Sequence, residues 1–338
     1  MLHYSCKDLN IKMYRVQFDR IGKAAEQVYL KKVDNINAIN ENKILIEVIC
    51  FPINPADILL IEGKYANKPK LPSLMGAECV ARVKRIGNNI RKFKLGDIVL
   101  PLVRDNWVEE KIVTENEIIK LPNNIDVEQA CMLKVNPATA YLMLNNYVKV
   151  KQGDFIIQNA SNSSVGNYVI QLAKLYDINT INFIRRKEVI STLKDYGADY
   201  VFKLNLNQKE ESFIKSSNPK LFIDAVAGEH VNTIASLLTD NSTIINYGLL
   251  SEENIQLDPH NTIFKNIILK GFWLSLWLNK MSIEEKNKLY YYLSELIIRK
   301  VLFTKVEKVF HINNIKEAID AASDFNRDGK ILVTTSKA

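Results

Sequence analysis

The spacing of apolar and polar positions changes character part-way along the chain. Residues 12 to 121 carry short apolar runs broken by turn residues. Candidate strands are 12–18, 43–50, 78–86, 97–100 and 108–113, with turns at Gly63, Gly76, Gly87-Asn88-Asn89 and Gly96-Asp97. Many short strands with regular turn signals predict a small barrel-like domain. Beyond residue 121 the period lengthens. Residues 126–133 read as a helix with Asp126 as N-cap, and 136–147 as a second opened by Asn136-Pro137. From Gly153 onward strands (155–157, 178–184, 200–202, 220–226, 242–247) alternate with helices (187–196, 206–216, 229–239). A strand at 266–272, a helix at 283–300 and a lone strand at 329–334 follow, the last able to rejoin the N-terminal domain. Strand–helix alternation predicts a parallel sheet covered on both faces.

The stretch 154–174 is the informative one. Phe155, Ile156 and Ile157 form a continuous apolar run suited to a strand buried on both sides. Asn159 to Gly166 are small or polar apart from Val165, and Val169, Ile170, Leu172 and Ala173 then recur at helical spacing. A strand, a small-residue turn and a helix opening in that order place unpaired amides where a pyrophosphate can bind. Only Gly166 of the usual three glycines is present, with Ser161, Ser163 and Ser164 nearby. A serine-rich turn that binds nothing is therefore a competing reading.

Two further strand ends bear on the choice. Ile184-Arg185-Arg186-Lys187 stands about 20 residues after the loop, where an acidic residue selects NAD and basic residues accept a 2′-phosphate. The pattern favours NADPH over NADH. The bland alternative is a basic first turn of a surface helix, which the positive helix end disfavours unless an anion is present. At Asn246-Tyr247-Gly248-Leu249-Leu250 a glycine allows close approach to a ligand.

Composition narrows the classes. The 338 residues suffice for two domains, and 47% apolar with 25% charged residues is ordinary for a soluble globular protein. No apolar run reaches the roughly 18 residues of a membrane span. The first residues lack a secretory core and an Arg-rich amphipath, which leads us to expect a cytoplasmic enzyme, or a mitochondrial matrix one with its presequence removed. Cys6, Cys50, Cys79 and Cys131, like His3, His230, His260 and His311, are scattered without ligand spacing, so we expect neither a disulfide framework nor a metal. A net charge of +7 suits anionic cofactors or thioester carriers, but a solvated lysine-rich surface explains it as well. No basic run interleaves with aromatics, so no nucleic-acid partner is expected.

Several segments carry a resemblance. Asn54-Pro55-Ala56-Asp57, Gly76-Ala77-Glu78, Gly87 and Gly96-Asp97 resemble the medium-chain dehydrogenase/reductase superfamily. Residues 54–65, Val135 to Tyr141, Gln158 to Ser163 and Gly271 to Trp277 resemble, more narrowly, mitochondrial-type trans-2-enoyl-thioester reductases. The likeness runs through nearly the whole chain. In that family a glycine-poor loop is normal, although Ser164 stands where glycine is usual. The resemblance implies an α/β architecture: a GroES-like β-barrel catalytic domain from 1–140 and 300–338, and a Rossmann domain from 141–299. It implies Tyr65 as the catalytic residue. It lines the NADPH with Asn136, Asn162, Ser163, Ser164, Val165, Arg185, Arg186, Lys187, Tyr247, Gly248, Leu249, Leu250, Phe272, Trp273, Leu274 and Lys330, and places Trp277 near the acyl pocket. Asn54 and Ala77 replace the Cys and His of zinc-dependent relatives, implying a zinc-independent enzyme.

The implied reaction is NADPH-dependent reduction of the trans-2 double bond of an enoyl-CoA or enoyl-acyl carrier protein in fatty acid synthesis. A phenol suits the charge that develops on the thioester oxygen, and a proton must also reach the α carbon. Alternatives are an NADPH:quinone oxidoreductase of the same superfamily and a non-enzymatic NADPH-sensing or RNA-binding protein. Tyr65 could instead be a loop tyrosine packed on Pro69 or Leu71. Trp273 and Trp277, four positions apart just after a strand, are expected at a pocket edge rather than on a helix. The family implies a homodimer, with the strand at 266–272 as a plausible pairing edge, and no membrane partner.

Overall fold

In the computed structural model, residues 12–66, 68–324 and 326–335 are described; Cys6 and His3 lie outside them. The second half of the chain builds a six-stranded sheet in which every pairing is parallel. Its strands lie in the order Tyr200–Phe202, Asn179–Phe183, Phe155–Gln158, Leu221–Asp224, Thr243–Asn246, Ile268–Gly271. That is the doubly wound order 3-2-1-4-5-6, which reverses between Phe155–Gln158 and Leu221–Asp224. Ile157, Ile181, Phe222 and Ile244 form one core with Ile214, Val231 and Ile234. Ile170 of helix Ser164–Leu175 packs with Leu193 and Tyr196 in a separate cluster.

The β-rich part closes differently. A seven-stranded sheet runs Val306–His311, Lys330–Thr334, Ile44–Pro52, Val80–Ile86, Ile98–Pro101, Ile118–Lys120, with Glu110–Val113 also pairing on Ile44–Pro52. Its pairings are antiparallel except that between Val306–His311 and Lys330–Thr334. A second sheet sets Lys12–Phe18 between Val28–Asp34 and Ser73–Leu74. Both sheets bury side chains in one core with Trp107 and with Ile315 and Ile319 of helix Ile315–Ser323.

The chain divides into two compact units, Met1–Lys134 with Lys305–Ala338, and Val135–Thr304. The first division falls ahead of residue 140 because helix Asn136–Asn146 packs on Ser164–Leu175 and goes with it. No helix among the described residues is long and apolar enough to cross a membrane.

Several elements differ from the sequence expectation. The final strand rejoins the N-terminal sheet as expected, antiparallel to Ile44–Pro52, but it is not alone, since it also pairs in parallel with Val306–His311. The latter has no clear alternation, and three of its central residues are exposed. Strand Val28–Asp34 carries adjacent exposed Lys31 and Lys32, which hides its period, yet it pairs along its whole length with Lys12–Phe18. Residues 274–280 are a helix, with Trp273 as N-cap and Trp277 within it, against the expectation of non-helical backbone. The expected helix 229–239 contracts to His230–Ala235, and 187–196 opens with a turn of 3₁₀ helix before Ile190–Tyr196.

Candidate active site

In the parallel unit, polar side chains cross the carboxyl ends of the strands. Gln158 donates through Nε2 to Asn182 Oδ1 at 2.8 Å and to the Gly166 carbonyl at 3.1 Å. Asn159 donates to Asp224 Oδ1 at 2.6 Å and accepts the Ala225 amide at 2.7 Å. The other Asp224 oxygen takes the Asn246 amide at 2.7 Å. Gln158, Asn159, Asn182 and Asp224 are all buried. Asp224 also accepts the amides of Val226 and Ala227, so its carboxylate holds one strand end to both neighbours at the reversal of strand order. Buried polar groups joined this fully fix geometry rather than merely tolerate burial.

The loop at 159–163 is shaped by this belt. Ala160 adopts φ of +45°, and Ser161 donates to the carbonyls of Gln158 and Phe183. Ser163 caps helix Ser164–Leu175 by accepting the Gly166 amide at 3.1 Å. A β carbon on Gly166 would lie 2.5 Å from the Ser161 carbonyl oxygen, so only glycine allows helix and loop to pack this closely. The first-turn amides of Ser164 and Val165 precede the start of intrahelical bonding, the position at which helix N-termini bind anions. Asn162 is exposed beside them.

The neighbouring strand ends complete this edge. Arg185 and Lys187 are exposed and Arg186 half-buried, immediately after strand Asn179–Phe183. The Tyr247 hydroxyl is engaged by Ser163, and burial pushes its phenol well above the usual range. At Gly248 a β carbon would meet the Ala225 carbonyl oxygen at 2.5 Å, which brings backbone 247–250 against the sheet end while Leu249 and Leu250 stay exposed. Phe272, buried, stacks with Trp277 at 6.2 Å between centroids, and Tyr147 joins both rings. The Trp277 indole donates to Tyr147 Oη at 3.3 Å, and Tyr147 to the Gly271 carbonyl at 3.0 Å. Asn136 is buried at the start of its helix. Trp273 and Leu274, both half-buried, open the helix that bears Trp277.

The β-rich unit holds the remaining candidates. Helix Pro55–Ile61 ends in a turn where the amides of Lys64 and Tyr65 both donate to the Leu59 carbonyl, at 2.9 and 3.1 Å. The Tyr65 ring packs on the core of this unit. Asn54 donates to Glu78 Oε1 at 2.8 Å, and its carbonyl accepts the Lys330 ammonium. Lys134 donates to the carbonyls of Ala77 at 2.6 Å and Val103 at 3.0 Å. Burial lowers both lysines to about 8, against the pull of Glu78, and raises the Asp57 carboxyl above its ordinary value. The Cys79 thiol is pushed up to about 12 by burial, which makes it inert. No cluster of three His, Cys, Asp or Glu among the described residues could hold a metal.

Comparison with known proteins decides the family. Residues 40–118 match the alcohol dehydrogenase GroES-like domain and 164–288 the zinc-binding dehydrogenase domain. The mitochondrial enoyl-[acyl-carrier-protein] reductase of Dictyostelium discoideum is 35% identical over 82% of this chain and 83% of its own length. That of Rattus norvegicus is 33% identical over 89% of this chain and 83% of its own. The chain belongs to the mitochondrial enoyl-acyl-carrier-protein reductase family. Among solved structures, the mitochondrial 2-enoyl thioester reductase Etr1p/Etr2p heterodimer from Candida tropicalis superposes with a TM-score of 0.87 at 27% identity, covering 96% of this chain and 100% of that one. The complex of Etr1p with NADP and crotonyl-CoA also gives 0.87, at 26% identity and the same coverage. A quinone oxidoreductase from Pseudomonas syringae, at 19% identity and a TM-score of 0.83 over 95% and 99%, shares the fold.

Within this family member, the parallel unit fits NADPH by its own geometry. It offers a capped helix N-terminus, two glycines whose β carbons would collide with backbone, and a basic strand end. Asp224 was not singled out by the sequence. Its signal was its place at the end of the strand beyond the reversal, which becomes visible only once the strand order is known. Lys330 stands apart from the other expected cofactor residues: it belongs to the β-rich unit, with its ammonium on Asn54.

Proposed function

We infer that this chain reduces the trans-2 double bond of enoyl thioesters with NADPH. The observation that carries the inference is family membership across most of the chain, joined to a basic end on the second strand of the parallel sheet. NADPH, when bound, supplies the hydride. Amides at the start of helix Ser164–Leu175 and backbone 247–250 hold it, while Arg185, Arg186 and Lys187 take its 2′-phosphate. Asn136, Asn162, Ser163 and the segment Phe272–Leu274 line it. Trp277, steadied by Tyr147 and Phe272, borders the acyl chain. Tyr65 donates a hydrogen bond to the thioester oxygen as negative charge develops there. The thioester already activates the alkene, so the chemistry proceeds without a Lewis acid.

The relatives named as mitochondrial support a place in the mitochondrial matrix. A homodimer through the outer strand of the parallel sheet is supported by its exposed apolar side chains. The test of function follows NADPH oxidation with crotonyl and trans-2-hexenoyl groups on CoA and on acyl carrier protein, with NADH and a quinone as controls. We expect turnover of thioesters and a preference for NADPH. Turnover of the quinone alone would overturn the reading.

A further inference from the structure

Three aromatic side chains of the parallel unit meet where strand Ile268–Gly271 ends: Phe272, Trp277 and Tyr147. The first two were expected near bound molecules; Tyr147 was not. It follows directly on helix Asn136–Asn146 and is half-buried. Its ring stands 6.3 Å from that of Phe272 and 5.8 Å from that of Trp277, tilted by 54° and 49°. The Lys270 ammonium lies 5.9 Å from the same ring. The Tyr147 hydroxyl is used twice, since a phenol both donates and accepts. It donates to the Gly271 carbonyl at 3.0 Å and accepts the Trp277 indole N–H at 3.3 Å.

The contacts on Trp277 constrain it in different ways. Stacking on Phe272, at 6.2 Å with 23° between the planes, fixes where the indole lies but not which way its N–H edge turns. The outer torsion of a tryptophan is broad, so the side chain's own preferences leave that choice open. The Tyr147 hydroxyl makes it. With its proton committed to Gly271, the hydroxyl presents its lone pairs to the indole, and Gly271 closes a strand of the parallel sheet. One O–H thus ties the indole to the sheet end as well as to the short helix Leu274–Lys280 that carries it.

We propose that Tyr147 sets the range of acyl chain lengths, its hydroxyl holding the Trp277 indole in one orientation as a fixed wall beside the acyl chain. This rests on the enoyl-thioester reading and on the placing of Trp277 given above. A wall that cannot turn makes a sharp limit, because one methylene too many in an apolar pocket costs about ten-fold or more in kcat/KM. Without the hydroxyl the indole can turn, and the limit relaxes. Tyr147 is thereby a positioning residue that acts through Trp277.

The test measures kcat/KM for crotonyl-CoA and trans-2-decenoyl-CoA in the wild type, Tyr147→Phe, Trp277→Leu and the double variant. Tyr147→Phe keeps the ring and removes both hydrogen bonds. The decenoyl-to-crotonyl ratio should rise about ten-fold, Trp277→Leu should raise it at least as far, and the double variant should exceed Trp277→Leu by nothing. A ratio unchanged in Tyr147→Phe but raised in Trp277→Leu would overturn the proposal and leave Trp277 at the acyl chain. A ratio unchanged in Trp277→Leu would remove Trp277 from the acyl chain and the proposal with it. Fluorine NMR of the chain labelled with 5-fluorotryptophan reads the same contact without turnover. The Trp277 resonance, assigned by its disappearance in Trp277→Leu, should shift or broaden in Tyr147→Phe. An unchanged resonance would overturn the proposal even if the wild-type chain reduces no enoyl thioester.

Discussion

At the scale of single residues, Tyr65 packs on the core of the β-rich unit, a contact that a phenylalanine ring would retain. Tyr65→Phe keeps the ring and removes the hydroxyl proposed to donate to the thioester oxygen. We expect kcat to fall about 10²–10³-fold, with NADPH affinity and melting temperature little changed; steady-state kinetics beside calorimetry check this. Arg185 and Arg186 lend themselves to a second experiment. Charge-assisted hydrogen bonds contribute about 1.5–3 kcal/mol each, so Arg185→Ala with Arg186→Ala should weaken NADPH by about a hundred-fold or more and leave NADH almost unaffected. Equal weakening of both cofactors would place the 2′-phosphate elsewhere. These residues were legible in the sequence because each owes its place to a local pattern: a basic run after a predicted strand, and a tyrosine within a family-like segment. Asp224, Asn159 and Asn182 were not read as a connected belt. Their partners lie 65 and 24 residues away along the chain, on strands whose neighbours no local period reveals.

At the scale of elements, alternation of apolar strands with amphipathic helices was enough to find the parallel sheet, because strands buried on both faces read as continuous apolar runs. It failed where an element is short or has an exposed face. Helix Pro55–Ile61 was hidden by the strand-like run that precedes it, and Leu274–Lys280 by the aromatic segment at its start. The first leads into Tyr65 and the second contains Trp277, so two residues of the proposed chemistry stand on or beside elements that local pattern missed. The loop at 247–250 shows how tightly such connections are set. At Gly248 the cost of a side chain comes from proximity alone, since a β carbon would stand 2.5 Å from the Ala225 carbonyl oxygen, next to Asp224. Gly248→Ala must push this loop off the sheet end. We expect a stability loss of about 1–3 kcal/mol and NADPH affinity reduced more than ten-fold, read by denaturant unfolding and fluorescence titration. Unaltered binding would mean that backbone 247–250 lies away from the cofactor.

At the scale of the whole molecule, the parallel sheet ends, among the described residues, on an exposed strand. Among the described residues, strand Ile268–Gly271 pairs on one side only, with Thr243–Asn246, and all four of its residues are exposed. Ile268 and Leu269 are 43% and 41% accessible, and Ile263 and Phe264, just before the strand, reach 67% and 72%. An apolar edge with unused backbone donors and acceptors invites pairing, and natural proteins cover or charge such edges. The proposed partner is the same strand of a second copy, because a twofold axis lets one patch satisfy itself and closes the assembly at two. Self-pairing would run antiparallel and extend one continuous sheet through both copies. Leu269→Lys puts a like charge on each side of the axis, so the penalty is counted twice in the dimer and not at all in the monomer. Sedimentation equilibrium should find a wild-type dimer at micromolar concentration and a Leu269→Lys dissociation constant raised more than ten-fold. Its circular dichroism should be that of the wild type, since the strand's own pairing with Thr243–Asn246 is untouched. A wild-type monomer, or a variant that stays as tightly paired, would place the interface on another face.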